Sequence, residues 1–401
     1  MGFENMALRE YFALRGRESF SIDPWLDSQV YFGDLQLEER ISRRLQTDFV
    51  QPRGVPKFFV FGAYGSGKTH TLAHISYKLK NNSMHPAEPI YVDIAPLGSK
   101  ERFQRIYSRL IDAIGLERVH DAAETVADQV SGTDKVRGLL EAGVLPFGDS
   151  TVRFSQANVF RNVLFGGRQT QLSWEWMKGR KNTPDQATTL GVQKDLNEPA
   201  DFVYCLLNVG ALFFHATKKK IVFLIDEAEA IRSVTNPDSQ TELQHMIRLL
   251  LENSNTFIGL VFAIQSEGGM EAIGDFFTRD DIRRRVDFDL GYFDLGMMVS
   301  EMQSSKQFMI HILEYLVDQD RAERIVQEEK LDTARGFFPF TEPALDAISK
   351  HITDNQQLAS PAFIISTMSN AAVEAWRRRG SSKIHVLIDE AIIEETIFPE
   401  G

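Results

Sequence analysis

The segment Gly62-Ala63-Tyr64-Gly65-Ser66-Gly67-Lys68-Thr69 fits the pattern G-x-x-x-x-G-K-[ST]. Its glycines let the backbone turn so that successive N–H groups face phosphate oxygens. A helix opening near Lys68 would add its positive dipole end to the same spot. Lys68 is then spaced to reach the β and γ phosphates of a nucleotide, and Thr69 to ligate Mg²⁺ through its hydroxyl. His70 completes the set of expected nucleotide contacts. With glycine near 7% of residues, chance produces this pattern in roughly one 400-residue chain in a hundred. Here the pattern also follows an apolar strand and opens an amphipathic helix, the context that phosphate binding requires.

A second group of residues carries charge that could act on a bound phosphate. Ile221–Ile225 is a continuous apolar run that ends in Asp226-Glu227. Ligands of open α/β sheets sit beyond the carboxyl ends of strands, so Asp226 is read as a Mg²⁺ ligand, direct or through water. Glu227 is read as the general base that activates water, and Glu229 as a solvated first-turn residue. Phe257–Ile264 ends in Gln265-Ser266, either of which could hydrogen-bond near the γ-phosphate. Arg283-Arg284-Arg285 precedes Val286–Leu290, which alternates like a short edge strand. A guanidinium from Arg284 or Arg285 could stabilise transition-state charge in a neighbouring subunit. A solvated basic turn paired with Asp280 and Asp281 explains the cluster equally well.

Other clusters have blander explanations. Trp174 and Trp176 read as core packing in preference to a partner-binding pair. Arg377-Arg378-Arg379 complements a helix C-terminus, and Lys218-Lys219-Lys220 reads as a solvated turn. His70 and His74 have helical metal spacing but no acidic or cysteine partner, so zinc is not expected.

These residues need a scaffold. Lys57–Phe61, Pro89–Asp93, Ile221–Ile225 and Phe257–Ile264 read as strands, alternating with helices at Leu35–Phe49, Lys100–Ile114 and Asp201–His215. That order predicts an α/β fold with a doubly wound parallel sheet. Beyond residue 296 the chain reads as helical, at Ser305–Leu316, Pro343–His351 and Pro361–Arg379. Thr341 and Ser360 are N-caps, each with a proline just inside the helix. The expected organisation is an irregular arm over 1–30, a P-loop core over 31–295 and a helical lid domain over 296–401. The core carries an insertion at about 115–200.

Composition narrows the function classes. The 401 residues are 43% hydrophobic and 25% charged, as in globular proteins. The longest apolar runs fall short of the roughly 18–20 residues that span a bilayer, no signal-peptide core opens the chain, and no membrane role is expected. Cys205 is the only cysteine, which fits a reducing cytoplasm. Lysine and arginine number 44 against 56 acids, a net charge of −12. A DNA contact would therefore be a local patch or a product of assembly.

Taken in order, the phosphate loop, the Ile-Asp-Glu strand, the polar strand end, the arginine cluster and the helical C-terminal region resemble the AAA+ ATPases. Within that group they are similar to the origin-recognition initiator clade and to bacterial phage-defence ATPases of the BREX type. Tyr31-Phe32-Gly33-Asp34 resembles the clade's lead-in segment and Phe340–Leu345 its lid helix. Ser173–Gly179 is similar to a segment of the defence ATPases. The resemblance spans about 30–395. It implies ATP and Mg²⁺ as cofactors and a homo-oligomeric ring or filament with ATP at subunit interfaces. It further implies a protein partner, with DNA as a further candidate. Lys68 and Thr69 would bind phosphate and Mg²⁺, Asp226 and Glu227 would support hydrolysis, and Arg284 or Arg285 would be the trans finger. The implied role is an ATPase that assembles or remodels a partner complex in phage defence, transposition or replication initiation. The alternative is a nucleotide-gated switch or scaffold with little hydrolysis. One departure stands out. Where the family often begins a lid helix with an arginine, this chain has Ser360-Pro361-Ala362-Phe363.

Overall fold

A computed structural model describes residues 6–50, 54–82, 86–129, 143–164, 166–253, 257–268, 270, 273, 275–287, 290–296, 302–355, 359–379 and 384–397. The chain divides into two compact units. One comprises Glu39–Phe61 and Leu72–Phe293. The other comprises Met1–Glu38, Gly62–Thr71 and Asp294–Gly401.

The first of these is built on a five-stranded parallel sheet: β1 (Lys57–Gly62), β2 (Ala87–Asp93), β3 (Lys220–Asp226), β4 (Ile258–Gln265) and β5 (Tyr292–Asp294). Their order is β2-β3-β4-β1-β5. The β2–β3 register sets Asp93 opposite Asp226, and the β3–β4 register ends at Ile225 opposite Phe262. Every residue of β1 is buried, as is β3 from Ile221 to Asp226. Continuous apolar runs of this kind are what a parallel sheet covered on both faces demands. Phe59 stacks on Phe262 and Tyr292 across the sheet, with ring centroids 5.2 and 5.1 Å apart.

The stretch expected as an insertion is helical: Leu116–Gln129, Ser150–Val163, Gly167–Met177 and Pro184–Leu190 lead into Pro199–Thr217. Trp174 and Trp176 are buried there, as the packing explanation requires. Some of its buried polar groups pair with one another. Asn208 donates to Gln156 Oε1 at 2.8 Å, and Gln156 donates to the Cys205 carbonyl at 2.9 Å. Pro199–Thr217 is long and apolar enough to cross a membrane, contrary to the run-length reading. Its apolar surface is nonetheless mostly consumed by the core, with 67% buried.

A second difference concerns the arginine cluster. Arg283–Arg285 lie inside the helix Asp280–Val286, and the edge strand is β5, further along at Tyr292–Asp294. Asp280 and Asp281 in the first turn and three arginines in the last complement the helix dipole at both ends. That outweighs the alternation of Val286–Leu290, part of which lies outside the described residues.

Among its described residues, the other unit packs the helices Met302–Leu316, Gln319–Glu329, Glu342–Asp354, Pro361–Arg378 and Glu390–Ile397. Thr341 and Ser360 cap theirs as expected, accepting from Ala344 N at 3.3 Å and Phe363 N at 3.2 Å. The N-terminal segment, expected as an irregular arm, belongs to this core. Tyr11, Phe12 and Phe20 are fully buried among Leu313, Phe340, Met368 and Ile388. Leu14 bridges Val317, and Trp376 Nε1 donates to the Met6 carbonyl at 3.1 Å.

Candidate nucleotide site

The phosphate loop leaves β1 at Gly62 and enters the helix Lys68–Lys80. Its glycines are needed for two separate reasons. Gly65 and Gly67 take φ of +74° and +92°, where a side chain is strained. Gly62 leaves no room, because a Cβ there would stand 2.6 Å from Ser66 Oγ. Among the described residues, that Ser66 hydroxyl is buried with no hydrogen-bond partner. A buried hydroxyl of this kind costs free energy unless a ligand completes it. Lys68 Nζ turns back onto the loop, donating to the carbonyls of Gly62 at 3.2 Å and Ala63 at 3.0 Å. Its three donors thus lie along the strand-to-helix turn that would hold the phosphates. Tyr64 stands exposed beside them. These features fit a triphosphate.

Two neighbours of the loop were not singled out as its partners. Ala362 N donates to the Gly65 carbonyl at 3.2 Å, and a Cβ on Gly65 would lie only 2.8 Å from Ala362 Cβ. The start of the helix Pro361–Arg378, where the lid arginine is missing, therefore meets the loop through backbone and a methyl group. His70, expected to touch nucleotide, bonds through Nε2 to the Val30 carbonyl at 2.9 Å. Its ring packs against Tyr31 and Phe32. Burial pushes the Tyr31 hydroxyl up to about 12, against an opposing contribution of the Thr71 side chain. His70 thus anchors the Tyr31–Asp34 segment to the loop helix.

The carboxylates lie in the sheet unit. Asp226 is buried at the end of β3, where Tyr91 OH donates to its Oδ2 at 3.0 Å and Glu227 N to its Oδ1 at 2.9 Å. This is an oxygen donor held in place by two hydrogen bonds, suited to a hard cation such as Mg²⁺. Glu227 adopts a left-handed conformation, φ 55° and ψ 34°, and its side chain is exposed. A non-glycine residue here stores strain of about 1–2 kcal/mol. Partial withdrawal of its carboxyl from water raises its proton affinity, and the negative charges of Glu229, Asp226 and Asp93 raise it further.

Glu229 is not the solvated residue that the sequence suggested. Its Oε2 accepts from Gln265 N at 2.8 Å, and its negative charge is one of those that raise the proton affinity of Glu227. Arg232, also not singled out, donates to the Gln265 carbonyl at 3.3 Å and to the Ile273 carbonyl. Asp226, Glu227 and Gln265 are thus brought together within one unit. The arginines are not joined to them by any hydrogen bond recorded among the described residues. Arg285 pairs with Glu252 at 3.0 Å and with the Asp281 carbonyl, whereas Arg284 is exposed.

A phosphate loop after β1 and an acidic pair ending β3 give this five-stranded parallel sheet the form of an α/β P-loop fold. Solved structures of low sequence identity are similar to the chain. One is the ORC2 protein of Aeropyrum pernix, solved with ADPNP and ADP (12% identity, TM-score 0.45). The match covers 90% of this chain and 66% of that one, just under two thirds of its length. Another is a Walker-type ATPase of Pyrococcus abyssi (12% identity, TM-score 0.40, 90% and 73% covered). A third is the RuvB Holliday junction branch migration motor of Thermotoga maritima (11% identity, TM-score 0.35, 91% and 68% covered). No protein-family model matches the sequence, and no curated protein matches it significantly.

Proposed function

We propose that the chain is an AAA+ ATPase that couples ATP binding and hydrolysis to assembly or remodelling of a partner complex. The observation that carries this reading is the conformation of Glu227. A strained glutamate with raised proton affinity is presented just past a buried aspartate, and strain of this kind is retained where chemistry uses it. This turn follows the carboxyl end of β3 in a parallel sheet, where ligands of open α/β sheets bind.

In this reading Gly62–Thr69 cradles the phosphates and Lys68 contacts the β and γ groups. Thr69 and Asp226 would hold Mg²⁺, which supplies charge neutralisation on the phosphate oxygens when bound. Glu227 accepts the proton of the attacking water, and Gln265 helps orient that water. Arg284, being exposed, is better presented than Arg285 to act in trans, in a ring or filament of identical subunits. A protein partner in the cytoplasm follows from the same resemblance, with DNA as a further partner in phage defence, transposition or replication initiation.

A second reading, a nucleotide-gated switch with little hydrolysis, is favoured by the acids around Glu227. The charges of Glu229, Asp226 and Asp93 favour its protonated form, which cannot accept a proton from water. Steady-state ATP turnover of the wild type and of Glu227→Gln decides between the two. An ATPase loses turnover by about 10²-fold or more in the variant while still binding ATP. A wild-type rate no higher than that of the variant supports the switch.

A further inference from the structure

We propose that Glu229 is a positioning residue that holds the end of β4, and with it Gln265, in working register with Glu227; the inference rests on the ATPase reading. The β3–β4 ladder stops at Ile225 opposite Phe262, three residues short of Gln265, where β4 ends. In that gap the chain substitutes side chains for a strand. The short helix Ala228–Ser233 starts directly after Glu227. Two of its charged residues close on one residue of β4: Glu229 Oε2 accepts the Gln265 N–H at 2.8 Å, and Arg232 donates to the Gln265 carbonyl at 3.3 Å. The N–H and C=O of one residue face the same edge of a strand, so this pair stands where a neighbouring strand residue would otherwise bond.

Hydrogen bonds to ionised groups are about twice as strong as neutral ones, so the clasp fixes Gln265 firmly. It also starts beside the reacting acid, because Glu229 bonds Gln265 while standing two residues after Glu227, whose proton affinity its charge raises. A link needed only for stability has no reason to crowd a third acid against Asp226 and Glu227. Glu229 is the residue through which a shift of the turn after β3 reaches the polar end of β4.

The test is a set of variants read by ATP turnover and by binding of a fluorescent ATP analogue. Glu229→Ala should lower kcat by about tenfold to a hundredfold, the scale for displacing a reacting group by about an ångström, with KM and analogue affinity within about twofold. Glu229→Gln keeps an oxygen acceptor for the Gln265 N–H and should recover most of that loss. Gln265→Ala should lower kcat, and adding Glu229→Ala to it should cost little more, because one acts through the other. A merely structural Glu229 would lower the melting temperature without this kcat-specific loss, and its effect would multiply with that of Gln265→Ala.

If Glu229→Ala does not fold, Arg232→Gln with Gln265→Ala forms the same cycle from the other side of the clasp. Unchanged kcat in Glu229→Ala, or multiplying effects in the cycle, overturns the proposal while wild-type turnover and its loss in Glu227→Gln leave the ATPase reading standing. A wild type that binds the analogue but turns over no ATP overturns both.

Discussion

The phosphate loop and the carboxylate turn are two strand-end devices built on opposite principles. The loop works through its backbone: glycines take the left-handed conformations at Gly65 and Gly67, and side chains are excluded by contact. The turn works through side chains, and there the left-handed residue is Glu227 itself, held despite its Cβ. A backbone device has few substitutes, because its glycines answer conformational demands at Gly65 and Gly67 and steric ones at Gly62 and Gly65. A side-chain device spreads its work over Tyr91, Glu229 and Arg232, so most single changes should weaken it by degrees.

The sharpest way to break this contrast is to place a glycine in the turn. Glu227→Gly relieves the left-handed strain and should stabilise the protein by about 1 kcal/mol. It should also reduce ATP turnover by about 10²–10⁴-fold through loss of the base. A thermal melt and a steady-state assay check both; a lower melting temperature would mean that Glu227 is not strained. The converse change in the loop, Gly65→Val, adds a β-branched side chain at φ +74° and 2.8 Å from Ala362 Cβ. It should cost about 2–5 kcal/mol of stability and abolish analogue binding, as read by denaturant titration and fluorescence.

Smaller effects sharpen the comparison. Tyr91→Phe removes a hydrogen-bond donor from the buried Asp226 carboxylate. It should cost about 1–2 kcal/mol and raise the Mg²⁺ concentration needed for half-maximal turnover, measured by metal titration. Ser66→Ala deletes a buried hydroxyl that lacks a protein partner. Stability without nucleotide should change by less than about 0.5 kcal/mol, while analogue affinity falls. Equal loss in both measurements would show that the hydroxyl serves the fold alone.

The two devices also differ in how far the sequence reveals them. Spacing within eight consecutive residues was enough to read the phosphate loop, because its chemistry is local. The place of Asp226 and Glu227 at the end of a buried strand was legible because the apolar run Ile221–Ile225 stops at them. Glu229 was misread because its partner, Gln265, is 36 positions away and no periodicity links them. Tyr91 was hidden likewise, since β2 alternation says nothing of what its hydroxyl meets across the sheet. The arginine cluster was set beside a strand because Val286–Leu290 alternates, whereas acids and bases at opposite ends of Asp280–Val286 favour a helix. The first thirty residues looked irregular because Tyr11 and Phe12 pack against helices some three hundred positions further on.

The contact between Gly65 and Ala362 carries a consequence for how such a chain can drift over generations. Only one of the two positions can carry bulk, since a single added Cβ at 65 would already be 2.8 Å from the methyl group at 362. The two sites therefore form an epistatic pair. Residue 362 is exposed and can vary outward, whereas residue 65 is confined to glycine for as long as 362 keeps its methyl group.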